Sequence, residues 1–298
     1  MTSQTINAAA SGTWKIGDLP VHRIGFGAMR LPQHGEALDA DAVPRGRDQA
    51  IRVLRRAVEL GVNHIDTAAF YFSPLRSANE LINRALGPYP DDLVIATKVG
   101  PGRDASGQWQ AHATPAQLRG QVEENLRQLG RDHLDVVNLR IVGTDSIAER
   151  FGALAELREA GLIRHLGLSN IRPHHLAEAQ AIAPVACVQN MYGIGATPEQ
   201  KQLLDICGDQ GIAFVPFYSI AGTGRTAGAT NGHSPEVSAL ARAHGVSPAQ
   251  IRLAWTLHQG PHILAIPGTG DPDHLVQNIA TGSLHLSEED LSTLRKAA

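Results

Sequence analysis

Cysteine is scarce, at two residues in a chain of 298. Two thiols make no disulfide framework and fit a reducing compartment, so a cytoplasmic location is expected. Cys207 shares an apolar helical face with Leu203 and Leu204, and Cys187 sits in an apolar strand, so both read as packing. Long apolar runs are missing. The stretch 181–188 falls far short of a membrane span. Residues 1–12 are small and polar, without the cationic start and apolar centre of a secretory leader, and a flexible tail is expected there. No Lys/Arg cluster stands out, and the formal charge is only −3, so the basic footprint of a nucleic-acid binder is lacking. No set among the fourteen histidines has metal-ligand spacing, and no metal site is expected. Nothing resembling a linker or a low-complexity block divides the chain, so 1–298 reads as one domain.

What is present is an alternation of short apolar runs with amphipathic segments. Strands are expected at 23–27, 62–66, 93–98, 134–140, 165–169, 185–189, 213–217 and 263–267. Most are continuously apolar with a polar last residue, the pattern of strands covered on both faces of a parallel sheet. Helical faces lie between them, such as Leu118, Val122, Leu126 and Leu129. Helix starts are marked at Thr114-Pro115, Thr197-Pro198, Ser234-Pro235, Ser247-Pro248 and Asp271-Pro272, where a capping residue precedes a proline. Gln117, Gln200 and Gln250 stand where capping boxes need them. Gly61, Gly130, Gly161 and Gly211 suit left-handed helix ends. Eight strand-then-helix units predict an α/β fold, a (β/α)8 TIM barrel, with an open doubly wound sheet as the alternative. Residues flanking Gly17-Asp18 predict an N-terminal β-hairpin. Pro216 inside the seventh predicted strand is an objection, because proline has no amide to donate.

In such a barrel the chemistry sits at the C-terminal strand ends. Those positions hold Asp66, Lys98, Arg140, Ser169-Asn170, Gln189, Phe217 and Gly268-Thr269. A single polar strand end is usually a turn former, but seven on one rim point to a site, because buried polar groups are costly without partners.

At these residues the sequence resembles a known family. Gly61-Val-Asn-His-Ile-Asp66-Thr67-Ala-Ala-Phe-Tyr71 and Gly161-Leu-Ile-Arg-His-Leu-Gly-Leu-Ser169-Asn170 are similar to two signatures of the aldo-keto reductases. Ile266-Pro267-Gly268-Thr269 through Gln277-Asn278 resembles their C-terminal cofactor segment. The resemblance implies a barrel that holds extended NADP(H) and reduces an aldehyde or ketone to an alcohol. It implies Tyr71 as general acid, with Lys98 lowering the tyrosine pKa from its usual value of about 10 and Asp66 holding Lys98 charged. Where the family usually has histidine, Asp135-Val-Val-Asn-Leu-Arg140 ends in arginine. This departure resembles a bacterial branch that includes pyridoxal reductases. Arg140 stays charged and offers a planar fork of donors to a carbonyl or an acidic substrate group. Its charge is expected to pair with Asp66, a loop carboxylate or water.

The resemblance also implies cofactor contacts. Gly27, Met29, Asp66, Ser169, Asn170 and Gln189 surround the nicotinamide end, with Phe217 stacked on the ring. Tyr218, Ile220 and Gly222 begin a loop over the pyrophosphate. Gly268, Thr269, His274, Gln277 and Asn278 form the adenosine end, where relatives often carry Lys or Arg. NADPH is therefore expected to be preferred over NADH, though over weakened positive charge. Met29, Phe72 and Trp109 are read as apolar substrate contacts beside Arg140, and the enzyme is expected to act as a monomer on a small aldehyde or ketone. Two other functions fit parts of the pattern: a nicotinamide-binding sensor or regulatory subunit with little turnover, suggested by Arg140, and an aldolase or isomerase using Lys98.

Overall fold

The computed structural model describes residues 6–35, 42–103, 109–220 and 233–296. The expected loose tail is packed from Asn7 onward. Ala8–Ser11 form a 3-10 turn whose cap, Asn7, accepts the Ala9 amide. Ala8 is fully buried, its amide donates to the Leu60 carbonyl at 2.8 Å, and the Ser11 hydroxyl accepts from the Ile24 amide at 3.0 Å. Small side chains let this turn seat closely, which composition alone does not reveal.

The elements run β1 (Thr13–Ile16), β2 (Leu19–His22), β3 (Phe26–Gly27), α1 (Arg47–Glu59), β4 (His64–Asp66), β5 (Phe72–Ser73), β6 (Arg76–Ser77) and α2 (Ala78–Leu86). There follow β7 (Val94–Val99), β8 (Gly102–Arg103), β9 (Trp109–Gln110), α3 (Pro115–Leu129), β10 (Leu134–Arg140), α4 (Ala148–Glu159), β11 (Ile163–Ser169) and α5 (Pro173–Gln180). Last come β12 (Cys187–Gln189), α6 (Pro198–Asp209), β13 (Ala213–Phe214), α7 (Pro235–His244), α8 (Pro248–Leu257), α9 (Pro272–Ala280) and α10 (Glu288–Lys296).

Seven strands form one parallel sheet in the order β13-β12-β11-β10-β7-β4-β3. Every residue of β7 is buried, the apolar Val94–Ala96 and Val99 as a strand covered on both faces requires, and the polar Thr97 and Lys98 with them. The expected last strand, 263–267, forms isolated parallel bridges only, but on both sides: Ile263 to Phe214 of β13, and Ala265 to Ile24 ahead of β3. Its amides and carbonyls bond both neighbours, with Leu264 donating to Phe214 and Gly25 donating to Ala265. The seventh strand is regular only to Phe214, short of 217, but bonding to its neighbour continues, with Val215 donating to the Val188 carbonyl and Phe217 to the Asn190 carbonyl, and Pro216 falls between these two donors. β1 and β2 pair antiparallel around Gly17-Asp18.

The helix starts follow local chemistry. Thr114, Thr197 and Ser247 accept the amides of Gln117, Gln200 and Gln250, and each glutamine answers to the cap's own amide. Each such cap contributes about 1 kcal/mol. Close packing between strands is tightest at Gly167, where a Cβ would collide with the Asn138 side chain and with Cys187.

One buried group carries a stability consequence. His64 on β4 is 2% exposed, neither ring nitrogen makes a well-formed hydrogen bond among the described residues, and a side chain at Gly25 would overlap its ring. Burial, with a smaller push from His22, lowers its pKa to about 4. The unfolded chain therefore binds the proton first. Stability is full above the ordinary imidazole value of about 6.5 and is lost as pH falls towards 4, by about 3 kcal/mol in total. Urea midpoints measured between those pH values should fall in the wild type and fall less in His64→Leu; parallel curves would remove His64 as the cause.

Candidate active site

The strand register sets the polar residues side by side. Asp66 pairs with Gly27 on one side and Ala96 on the other, Lys98 with Asn138, Arg140 with Ser169, and Ser169 with Gln189. Side chains alternate across a strand, so Asp66 and Lys98 share a face although they come from different strands. Lys98 Nζ donates to both Asp66 oxygens at 2.7 Å and to the Thr67 carbonyl at 2.9 Å. Gln189 Nε2 adds a bond to Asp66 Oδ1 at 2.7 Å. The pair is almost wholly buried. Burial acts to lower the Lys98 pKa, but Asp66 and Tyr71 more than offset it, so the amine is held charged. A permanently protonated lysine is a poor imine former, which counts against the aldolase reading.

Tyr71 follows the turn after β4 and is buried at 7% exposure, with Lys98 Nζ 4.9 Å from its ring centroid. The expected fall in its pKa is not what results. Burial raises the phenol above its usual value, and the opposing pull of Lys98 and Arg140 does not cancel that rise. Desolvation penalises the tyrosinate more than one lysine, already shared with Asp66, stabilises it.

Of the partners expected for Arg140, the carboxylates do not fill the role. Among the described residues no carboxylate forms an ion pair with it, and Asp66 stays with Lys98. Its Nη1 donates to Ser169 Oγ at 3.2 Å, and the guanidinium lies 5.0 Å from the Phe217 ring centroid. Burial lowers its pKa, partly countered by Tyr71 and Tyr218. A π face and a hydroxyl thus stand in for the counter-ion.

These groups open on one cavity of about 1050 Å³. Gly27, Met29, Asp66, Tyr71, Lys98, Arg140 and Gln189 line it, as do Phe217, Tyr218, Ile220 and, at 268–278, Gly268, Thr269, His274, Gln277 and Asn278. Trp109 lines it too, on the antiparallel β8–β9 pair after β7. Three expected residues are not on the wall. Ser169 is fully buried behind Arg140 and Gln189. Asn170 is exposed, with a left-handed backbone (φ 60°), and donates to the Ile141 carbonyl at 2.8 Å. Phe72, 37% exposed, sits on the β5–β6 hairpin, and its neighbour Phe70 takes the wall position, edge-on to both Tyr71 and Trp109. Gly222 lies outside the described residues.

Other wall residues were missed. Arg45 reaches in from the segment before α1, its guanidinium filling the space a side chain at Gly270 would need and donating to the Gly270 and Arg30 carbonyls. Arg30 and His34 line the same wall. Positive charge near 268–278 is therefore greater than its own residues suggest. Its source is over two hundred residues away in sequence, where no local pattern marks it. The cysteines take no part: burial pushes both thiols up to about 12.

Residues 23–298 match the model of the aldo/keto reductase family. The chain belongs to the aldo-keto reductases. It is 44% identical over 292 residues to pyridoxine 4-dehydrogenase of Escherichia coli K12, covering 96% of this chain and 98% of that protein. A solved aldo-keto reductase of Klebsiella pneumoniae, in complex with NADPH, has a TM-score of 0.76 at 28% identity, covering 93% of this chain and 91% of that one. A thermostable aldo-keto reductase crystallised with the inhibitor epalrestat gives 0.78 at 27%, covering 95% and 97%. As an aldo-keto reductase the protein is an NADP(H)-dependent oxidoreductase that interconverts carbonyl groups and alcohols.

Proposed function

We propose that the enzyme reduces a small aromatic aldehyde to its primary alcohol with NADPH, and that pyridoxal is such a substrate. The observation that carries the reading is the buried Asp66–Lys98 pair beside Tyr71, with Arg140 on the same cavity wall. The likeness to a pyridoxine 4-dehydrogenase supports the substrate class.

The cavity suits a dinucleotide. Its volume is ample, its phosphate-facing side carries Arg30, Arg45 and His34, and Gly27 and Gly268 let two backbones approach where any Cβ would clash. In this reading Met29, Gln189 and Phe217 hold the nicotinamide end, with Ser169 acting from behind through Gln189. Tyr218 and Ile220 border the pyrophosphate. Thr269, His274, Gln277, Asn278 and Arg45 take the adenosine end, and NADPH is preferred over NADH. Bound NADPH supplies the hydride. Tyr71 then gives its proton to the carbonyl oxygen, Lys98 stabilises the phenolate left behind, and Asp66 holds Lys98 in place. Arg140 donates to the carbonyl oxygen or to an acidic oxygen next to it. Phe70 and Trp109 wall the substrate side and keep water from the reacting carbon.

The same reading takes the seven parallel strands and the bridging segment 263–267 as one (β/α)8 barrel, a single domain. It takes the enzyme as a cytoplasmic monomer, which free, buried cysteines suit.

The test is steady-state reduction of pyridoxal and of apolar aromatic aldehydes, followed by NADPH absorbance. A charged donor facing an anionic oxygen contributes about 1.5–3 kcal/mol, roughly tenfold to a hundredfold. Arg140→Met should raise KM for pyridoxal, whose phenolic oxygen adjoins the aldehyde, by that factor, and for benzaldehyde far less. Equal losses for both would sink the recognition role.

A further inference from the structure

Behind the Asp66–Lys98 pair, on the side away from the cavity, lie four polar side chains that are all fully buried: Thr67, Asn79, Thr97 and Asn125. They form one connected network. Thr67 Oγ1 donates to Asn79 Oδ1 at 2.8 Å, and Asn79 Nδ2 donates to Asn125 Oδ1 at 2.9 Å. Thr97 Oγ1 donates to the same Asn125 oxygen at 2.6 Å. Asn125 Nδ2 is taken by the Gln121 carbonyl at 2.8 Å.

Placement makes the network more than packing. Thr67 follows Asp66 and Thr97 precedes Lys98, so alternation turns the threonines outward to α2 and α3 while their neighbours turn inward. The Thr67 carbonyl is also the third acceptor for Lys98 Nζ. Its peptide is held by Asn79 through the hydroxyl and by the Ala96 carbonyl, which accepts the Thr67 amide at 2.8 Å. On the other strand, α3 holds β7 on both sides of Lys98: Asn125 takes Thr97, and Gln121 Oε1 accepts the Gly100 amide at 2.7 Å. Apolar side chains would fill this space without the risk a buried polar network carries if one member is lost.

We infer that Thr67, Asn79 and Asn125 are positioning residues that set the spacing of Asp66 and Lys98, and through it the contact of Lys98 with the Tyr71 phenol. The inference rests on the reading of Tyr71 as proton donor. The charged groups acting on that phenol are Lys98, Asp66 and Arg140, and only the first two are reached by the network.

Thr67→Val keeps the shape and removes the hydroxyl, while Thr67→Ser keeps the hydroxyl. Asn125→Leu breaks the network at its centre and serves as the second variant. For Thr67→Val we expect kcat for aldehyde reduction to fall about tenfold, with the aldehyde KM and the NADPH Kd within about twofold and the alkaline limb of the kcat–pH profile displaced. Thr67→Ser should return both kcat and the profile to wild type. A Thr67→Val profile that superimposes on wild type overturns the inference, whatever happens to the melting temperature, because a merely structural role moves stability and not the profile. Tyr71→Phe, measured alongside, tests the underlying reading separately: an inactive Tyr71→Phe with an unmoved Thr67→Val profile condemns the positioning role alone.

Discussion

Tyr71→Phe is expected to lower the rate of carbonyl reduction about a thousandfold, the usual scale for losing a positioned general acid. Cofactor affinity should stay within a few-fold, because the ring and its packing against Phe70 are kept and only the proton is lost. Stopped-flow absorbance of NADPH and fluorescence titration of its binding would read the two separately. Retention of most of the rate would remove Tyr71 from the role of acid. The pH behaviour of the wild type follows from the same group. Burial raises the Tyr71 pKa and Lys98 only partly opposes it, so the phenol is protonated throughout the neutral range. Reduction needs that protonated form and should hold its rate through neutrality, falling only in alkali. Alcohol oxidation needs the phenolate as base and should rise with pH over the same interval. A reduction rate already declining between about pH 6 and 8 would speak for a different donor.

Lys98→Met should be nearly as damaging, and for two separable reasons. It removes the cation beside Tyr71, with an expected loss of at least about a hundredfold in kcat. It also strands the buried Asp66 carboxylate, which loses its two 2.7 Å bonds to the amine and keeps the one from Gln189. Breaking one half of a buried ion pair costs about 3–5 kcal/mol, or a fall in melting temperature on the order of 10 °C. Adding Asp66→Asn removes the stranded charge while keeping an oxygen for Gln189. The double variant should recover much of the stability and none of the activity. Recovery of activity would show that the lysine matters only for folding.

Local chemistry in the sequence carried the framework far. The Thr-Pro and Ser-Pro starts with Gln three positions after the cap became capped helices, because a cap is satisfied within one turn of its own residues. Gly61, Gly130, Gly161 and Gly211 all take positive φ, as a residue after a helix end must to reverse the chain cheaply. Continuous apolar runs marked the parallel strands, since burial on both faces leaves no alternation. Strand ends then pointed to Asp66, Lys98, Arg140 and Gln189, which share one cavity wall.

Tertiary structure decided what depends on groups far apart in the chain. Whether Phe70 or Phe72 faces the cavity turns on the path of a loop, and periodicity says nothing there. Arg45 reaches Gly270 from the other end of the chain, so the charge around 268–278 was invisible locally. Arg140 rests on Phe217 and Ser169 rather than on a carboxylate because the carboxylate within its reach already belongs to Lys98. The direction of the Tyr71 shift came from a contest of desolvation and Asp66 against Lys98 and Arg140, and its outcome depends on depth of burial. The residue types in the sequence state which interactions are possible; distance and solvent exclusion, set only by the fold, determine which of them prevail.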